Sequence, residues 1–279
     1  MKKFTFLIVS IVLTTLVFVN TAFSQITQRG TATTASSTST SLTINKPTGV
    51  VTGDVMLVNI AKENNTANDP SLSGWTLVAG GAINGSDIRG AVVYKVATSS
   101  VPSSYTFALG TGTNDAVGTI VAFYGVDTYG STPFDVTGTM GLSTINGQTA
   151  TAPGITTTLA NTAVIMFAQQ SDNRNFSGWN ITNPGSLTQL YVNEYNGTDD
   201  LSIGAAWATK LTAGATGNGV VTLEENNDRW GAIMVALRPF SVFAGHDQLI
   251  SGASVTLSGS TTASGTPTYA WTKISGTGG

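Results

Sequence analysis

The chain has 279 residues, no cysteine, one histidine and a formal net charge of −3. The missing cysteines exclude a disulfide framework, so a hydrophobic core must provide the stability. Charged residues make up only 10% of the chain and form no basic patch, which leaves nucleic-acid binding without an electrostatic basis.

The first 24 residues have the composition of a secretory signal peptide. Residues 1–3 are Met-Lys-Lys, an apolar stretch follows to Val19, and residues 22–24 fit a small-x-small cleavage site. We therefore expect export, and a secreted or cell-surface chain that begins at Gln25. A retained membrane anchor is the alternative, because the apolar stretch is almost long enough to span a bilayer. No later apolar run approaches that length, so we expect no membrane span in the mature chain.

Short apolar runs separated by Gly, Asn and Ser fill the body of the chain, a pattern typical of antiparallel β-structure. Residues 31–41 fit either an edge strand or a flexible lead-in. Residues 55–61 are almost continuously apolar, which predicts a strand buried on both faces. Asn-Gly pairs that suit hairpin turns lie at 84–85, 146–147 and 196–197. The predicted strands are residues 55–61, 75–78, 88–96, 105–109, 117–124, 163–169, 187–192, 201–210, 219–223 and 230–237.

The strand pattern occurs twice in the same order. Residues 53–60 correspond to 161–168 and residues 118–123 to 231–236, with two further pairs between them, at offsets of 108–115 residues. These patterns predict an all-β fold, an antiparallel β-sandwich of jelly-roll-like type with internal duplication, over residues 25–240. Each half has too few strands to be expected to be stable on its own. We therefore expect one two-sheet sandwich built from both halves, and two small sandwiches are the alternative.

Three motifs follow one another in the last 40 or so residues. They are Ala-Gly-His-Asp-Gln at 244–248, Val-Thr-Leu-Ser-Gly-Ser at 255–260 and Tyr-Ala-Trp at 269–271. In this order they resemble the start of a polycystic-kidney-disease-like (PKD-like) domain of immunoglobulin type. The resemblance implies a β-sandwich whose later strands are missing here. Residues 241–279 are therefore expected to form a truncated PKD-like domain that has no core of its own, packs little against the body and belongs to a longer multidomain protein.

The body carries a second, looser resemblance. Gly-Asp-Val-Met-Leu at 53–57, Gly-Trp-Thr-Leu-Val at 74–78 and Ala-Leu-Arg-Pro at 236–239 are similar to stretches of uncharacterised β-sandwich domains in large secreted bacterial surface proteins. The resemblance implies a module at the cell surface and brings no catalytic residue with it.

The residues that carry hydrolytic chemistry are scarce in the body. The single histidine, His246, lies in the tail, so a Ser-His-Asp or Cys-His system has no base in the body. A glycosidase needs two carboxylates across a cleft, and no spacing selects a pair. We therefore predict that the chain is not an enzyme. The carboxylates from which such a pair would have to come are Asp54, Glu63, Asp69, Asp172, Glu194, Glu224 and Glu225.

Three loops rich in acidic and amide side chains offer oxygen ligands for calcium, which takes about six to eight of them. The loops cover residues 63–69, 172–175 and 224–228, and the first two follow equivalent strands of the repeat. Asn and Asp also favour turns, which is the alternative explanation. No other cofactor is expected. The calcium candidates are Glu63, Asp69, Asp172, Glu224 and Asp228.

Aromatic side chains suggest a carbohydrate site. Trp179 and Tyr195 lie in loop-like stretches rich in Asn and Gly, where exposed rings could stack on sugars. Trp75, Trp207 and Trp230 lie in apolar runs and are expected to be mostly buried.

The composition and motifs together favour a non-enzymatic, secreted or cell-surface β-sandwich module that serves adhesion or spacing in a longer protein. The alternative is a carbohydrate-binding accessory module of a secreted polysaccharide-degrading enzyme. The expected partner is accordingly a carbohydrate or another surface protein.

Overall fold

The computed structural model describes residues 21–23, 25–64, 66, 68–83, 88–112, 115–130, 132–143, 145–225, 229–243 and 260–261. The predicted signal sequence up to residue 20, the Asn84-Gly85 turn and most of the PKD-like tail lie outside these residues. The strands are β1 (Thr21–Phe23), β2 (Thr27–Gln28), β3 (Thr33–Ser37), β4 (Ser41–Asn45), β5 (Val55–Glu63), β6 (Thr76–Ala82), β7 (Ile88–Val96), β8 (Ser104–Ala108), β9 (Ala116–Tyr124), β10 (Phe134–Thr137), β11 (Gly141–Leu142), β12 (Thr149–Ala152), β13 (Thr156–Thr157), β14 (Thr162–Gln170), β15 (Phe176–Asn180), β16 (Thr188–Tyr195), β17 (Leu201–Lys210), β18 (Gly214–Ala215), β19 (Gly219–Leu223), β20 (Trp230–Leu237), β21 (Ser241–Phe243) and β22 (Ser260–Thr261).

The described residues contain strands and no helix, and every pairing between these strands is antiparallel. The predicted all-β antiparallel sandwich is thus confirmed. Within the described part of the chain, no helix has the length and hydropathy to cross a bilayer. Residues 31–41 fit either an edge strand or a flexible lead-in from the sequence. In the structure they contain an edge strand, because β3 pairs with β9.

Two large sheets form the centre of the molecule. The first has the order β2-β9-β5-β7-β6, with β3 also on β9, and the second has the order β10-β20-β14-β17-β16, with β11 also on β20. The two orders match strand for strand, and the repeated sequence pairs fall on matching strands. This match agrees with the duplication predicted from the sequence, which a superposition of residues 53–124 on 161–237 would test.

The central strands are buried on both faces, as the apolar run predicted. Side chains alternate across a strand, so Val55, Leu57 and Ala61 of β5 face one core while Met56 and Ile60 face another. In β14 the same alternation divides the side chains between the first core and a third one.

The sandwich has four layers, and the expectation of one two-sheet sandwich is wrong. The two large sheets pack face to face over a shared core. The small sheet β4-β8 covers the outer face of the first large sheet, and β12-β19-β15 covers the outer face of the second. Each half therefore has a core of its own, and the shared core joins the halves. A continuous apolar strand signals burial on both faces but does not say which layer covers each face.

The strands of the two large sheets begin or finish at two opposite ends of the body. β9 and β20 finish side by side, where Val126 pairs with Pro239 and the amide of Asp127 donates to the carbonyl of Arg238 at 2.7 Å. We call this the proximal end. The opposite side, where β9 and β20 begin, is the distal end.

Both ends of the body's chain lie at the proximal end. β2 pairs with the last residues of β9 through Thr27 and Tyr124. At the end of the body's sequence, Phe240 follows β20 and lines the same cleft as Arg29. β21 continues from Phe240 and pairs with β1. Since β1 falls within the predicted signal peptide, cleavage after residue 24 would remove this partner of β21.

Candidate functional site

Three carboxylates meet at the distal end, where β5 finishes, β9 begins and the β16–β17 turn lies. Glu63, Asp115 and Asp199 each present a carboxylate oxygen, and these oxygens lie within 4.8 Å of one another. Asp115 is buried, and the other two are partly exposed. We call these three residues the acidic cluster.

Hydrogen bonds hold the acidic cluster in place. Asp115 and Glu63 are joined twice, because the Glu63 amide donates to the Asp115 carbonyl and the Asp115 amide donates to Oε2 of Glu63 at 3.2 Å. The Asp115 carboxylate accepts the amides of Thr198 and Asp199 at 2.7 and 2.8 Å, and the Tyr195 hydroxyl at 3.1 Å. Asp115 therefore fixes the turn after β16 to the start of β9.

The turn approaches Asp115 so closely that a side chain at its second position would force Asp115 or Tyr195 to shift. A Cβ atom at Gly197 would lie 2.8 Å from Oδ2 of Asp115 and 2.5 Å from the Tyr195 ring. Burial raises the pKa of the Tyr195 phenol and Asp115 raises it further, so the hydroxyl remains a donor to the carboxylate. The predicted Asn196-Gly197 turn thus also shapes the acidic cluster.

A polar network lies between the two large sheets. The Asn193 amide donates to Oγ1 of Thr119 at 2.7 Å, and Thr119 also bonds with the Thr34 hydroxyl at 2.9 Å. Deeper in the shared core, Asn59 and Gln169 bond with each other. These contacts join β16 and β14 of one half to β9 and β5 of the other.

Lys62 is a second unusual group at the distal end. Its side chain is fully buried, and its amine lies 3.4 Å from the carbonyl of Asn64. Burial lowers the pKa of Lys62 to about 8; the nearby Arg89 lowers it further and Asp69 opposes the shift. The amine therefore loses its proton as the pH rises through about 8.

The structure brings one of the five calcium candidates together with other carboxylates. Glu63 belongs to the acidic cluster, whereas Asp69 forms an ion pair with Arg89 at 2.5 Å. Asp172 accepts the amide of Asn173, which is the turn-forming role given as the alternative.

The third acidic loop is tied to the second by hydrogen bonds. Glu224 accepts the Asn175 amide at 3.2 Å, and Glu225 forms an exposed ion pair with Arg174 at 3.0 Å. Asp228 lies outside the described residues. The calcium hypothesis thus remains a prediction, and its best position is Glu63 together with Asp115 and Asp199. Sequence reasoning missed the last two because their partners are far apart in the chain.

The proposed sugar platform is not formed as the sequence suggested. Trp179 is only 5% exposed, because β15 is a strand that covers the third core, where the ring packs 5.7 Å from Phe176. Tyr195 is partly buried and its hydroxyl is held by Asp115. The expected exposure of Trp179 is therefore wrong, and the two rings do not make an open stacking surface.

The three tryptophans that lie in apolar runs agree with their prediction. Trp207 packs against the shared core, Trp230 against the core of the second half and Trp75 against that of the first half. All three are partly buried.

The carboxylates considered for glycoside hydrolysis already have structural partners in most cases. Asp54 forms a two-pronged ion pair with Arg29, at 2.9 and 3.1 Å, and accepts the Val51 amide at 3.0 Å. The oxygens of the acidic cluster lie closer together than the roughly 5 Å or more that separates the two carboxyl groups of glycosidases. The arrangement suits turn formation or a cation better than acid–base catalysis.

Comparisons with protein-family models, with curated proteins and with solved structures give no match for this chain. The PKD-like and surface-protein resemblances therefore remain predictions from the sequence, and the function has to be argued from the molecule itself.

Proposed function

We propose that this chain is a non-enzymatic, secreted or cell-surface β-sandwich module that serves adhesion within a longer protein. The observation that carries this proposal is the position of the chain ends. Thr27 and Phe240 both lie at the proximal end, beside the junction of Val126 with Pro239. Cleavage after residue 24 would leave Gln25 as the first residue of the exported chain, so a longer protein would continue beyond Phe240 and would hold the body by its proximal end.

This geometry favours adhesion over spacing, the other role that the sequence left open. A spacer lies between two parts of a protein and needs a connection at each of two separate ends. A module that is connected only at its proximal end instead presents its opposite side. Here the presented side is the distal end, which carries the acidic cluster and the exposed side chain of Ile145.

The hydrogen bonding of the carboxylates supports a non-enzymatic role. Asp54, Asp69 and Glu225 are paired with arginines, and Asp115 accepts three donors. Groups engaged in this way stabilise turns and strand ends. The carbohydrate-binding alternative loses its stated platform, because Trp179 is buried.

The absence of cysteine allows a direct test, because a single introduced cysteine gives one attachment point. Thr52→Cys would attach the exposed proximal end to a bead, and Ile145→Cys, at a position 73% exposed, would attach the distal end. Both beads are applied to arrays of glycans and of extracellular-matrix proteins. We expect the arrays to retain beads that are attached to the protein through Thr52→Cys. Beads that are attached through Ile145→Cys should not be retained, because the bead blocks the distal end.

Each other result has a clear meaning. Equal retention in both orientations would contradict a distal adhesive surface, and no retention in either would contradict adhesion and return spacing to first place. Retention on glycans alone would favour the carbohydrate-binding alternative. The heat-unfolded protein on the same beads serves as the control for non-specific adsorption.

A further inference from the structure

The proximal end carries a cleft of about 270 Å³ between the start of the body and its last residues. Its walls include Val51, Tyr124, Thr128 and Phe240. Val51 is 53% exposed and Tyr124 is 38% exposed. Tyr129, beside the wall residue Thr128, is 69% exposed. Half of the six large apolar side chains that are exposed among the described residues therefore lie in or beside this cleft.

The charged groups of the cleft are already paired. Arg29 binds Asp54 through two hydrogen bonds and lies 4.2 Å from the centre of the Tyr124 ring. Asp127 faces Arg238 at 3.2 Å. The cleft thus offers apolar walls over neutralised ion pairs, which suits a polypeptide segment with apolar side chains better than a small charged ligand.

The geometry points to one occupant: the segment of this chain that follows β21, residues 244–279. We infer that this segment docks in the proximal cleft. Phe240 is part of the cleft wall, and β21 begins at the next residue. β22 pairs with β21, with Val242 opposite Thr261 and Phe243 opposite Ser260. The chain therefore passes from Phe240 in the cleft wall into β21, and β22 lies beside β21.

The composition of the segment and its tethering support this assignment. The segment carries large apolar side chains that could contact the cleft walls, namely Val255, Leu257, Tyr269 and Trp271. Contact between these side chains and the exposed walls of the cleft would bury apolar surface on both the segment and the body. Because the segment is attached next to the cleft, binding is intramolecular and is favoured by a high effective concentration. This inference opposes the expectation of a tail that packs little against the body, and one experiment separates the two.

The test uses the full chain with one cysteine at Thr52→Cys, an exposed position in the cleft wall. A benzophenone maleimide is attached to it and irradiated, and the cross-linked peptides are identified by mass spectrometry. We expect cross-links from Thr52→Cys to peptides of residues 244–279 in the same chain. Ile145→Cys, treated identically, is the matched distal control and should give none to these peptides.

A second measurement covers the case in which the label disturbs docking. In the full chain, Val51→Asn removes an apolar wall contact, and limited proteolysis beyond Pro239 should become about threefold faster. Ile145→Asn is the matched change at the distal end and should leave the rate unchanged.

Two results would overturn the inference. Cross-links from Thr52→Cys to a second chain, seen as a covalent dimer, would make another copy of the protein the occupant. Absence of cross-links to residues 244–279, together with equal cleavage rates for the original chain and both asparagine variants, would leave the cleft open and restore the loosely attached tail. The bead experiment measures binding at the distal end, whereas cross-linking and proteolysis report on the proximal cleft, so the two proposals can fail separately.

Discussion

The side-chain amide of Gln169 in β14 donates to Oδ1 of Asn59 in β5 at 2.5 Å, deep in the core between the two halves. Asn59 in turn donates to the carbonyls of Ala168 and Gly204, at 3.1 and 3.2 Å. In the repeat predicted from the sequence, the position that corresponds to Asn59 is Phe167, so the contact is asymmetric. The two halves are thus joined by a polar contact that exists once, and it fixes how they stack.

The first prediction concerns this contact. Asn59→Ala leaves the Gln169 amide and two carbonyls without their partner in a fully buried site, and also creates a cavity. We expect the free energy of unfolding to fall by about 2–4 kcal/mol in denaturant titration. Asn45→Ala, at an exposed position of β4, is the matched control and should change it by less than about 0.5 kcal/mol. Equal effects would mean that Asn59 does not hold the halves together.

The second prediction concerns the buried carboxylate of the acidic cluster. Asp115→Asn weakens the acceptor of the Tyr195 hydroxyl and of two backbone amides, which should destabilise the protein by about 1.5–3 kcal/mol. Amide hydrogen exchange in residues 196–200 should accelerate more than exchange in β4. Glu194→Gln, an exposed acidic position in the same end of β16, is the control. Unchanged exchange in the turn would contradict the clamping role.

The third prediction separates a turn clamp from a cation site. If the acidic cluster binds calcium, the melting temperature should rise with calcium concentration and should follow the saturation of one site. Asp199→Asn removes one of the three carboxylates and should abolish this rise. Asp172→Asn, at a candidate outside the cluster, should retain it. A melting temperature that does not respond to calcium in the original chain would end the calcium hypothesis.

The fourth prediction uses the lowered pKa of Lys62. Between pH 8 and 10.5 the unfolded chain holds a proton on Lys62 that the folded chain has largely lost. Stability rises with pH wherever the unfolded state binds more protons. Lys62 therefore contributes a destabilisation that is fully present below pH 8 and is relieved as the pH rises to 10.5. The stability difference between Lys62→Met and the original chain should shrink over this range, and Lys46→Met is the control substitution.

Much of the fold follows from local patterns, and the rest depends on distant partners. The strand β17 has the predicted bounds, Leu201–Lys210, because a long apolar run between turn residues is visible in the sequence alone. Trp179 was misjudged because its neighbours are Gly, Ser and Asn, while its burial comes from the third core. Asp115 was missed for the same reason, since its hydrogen-bond partners lie 80–84 residues further along the chain. No local window contains these partners.

The last prediction tests the burial of Trp179 by a pair of changes. A Cβ atom at Gly204 would lie 2.8 Å from Cζ2 of the Trp179 ring and 3.0 Å from the Phe176 ring. Gly204→Ala should therefore overpack the core of the second half and destabilise the protein by about 1–3 kcal/mol.

Trp179→Phe removes the part of the indole that causes the closest contact, so it should accept the methyl group. On its own this change leaves a small cavity and should destabilise the protein. In the double variant, Gly204→Ala should cost much less than it does alone, which a double-mutant cycle of denaturant midpoints measures. Two strictly additive effects would place Trp179 away from Gly204, and an exposed ring at position 179 would again be open to sugars.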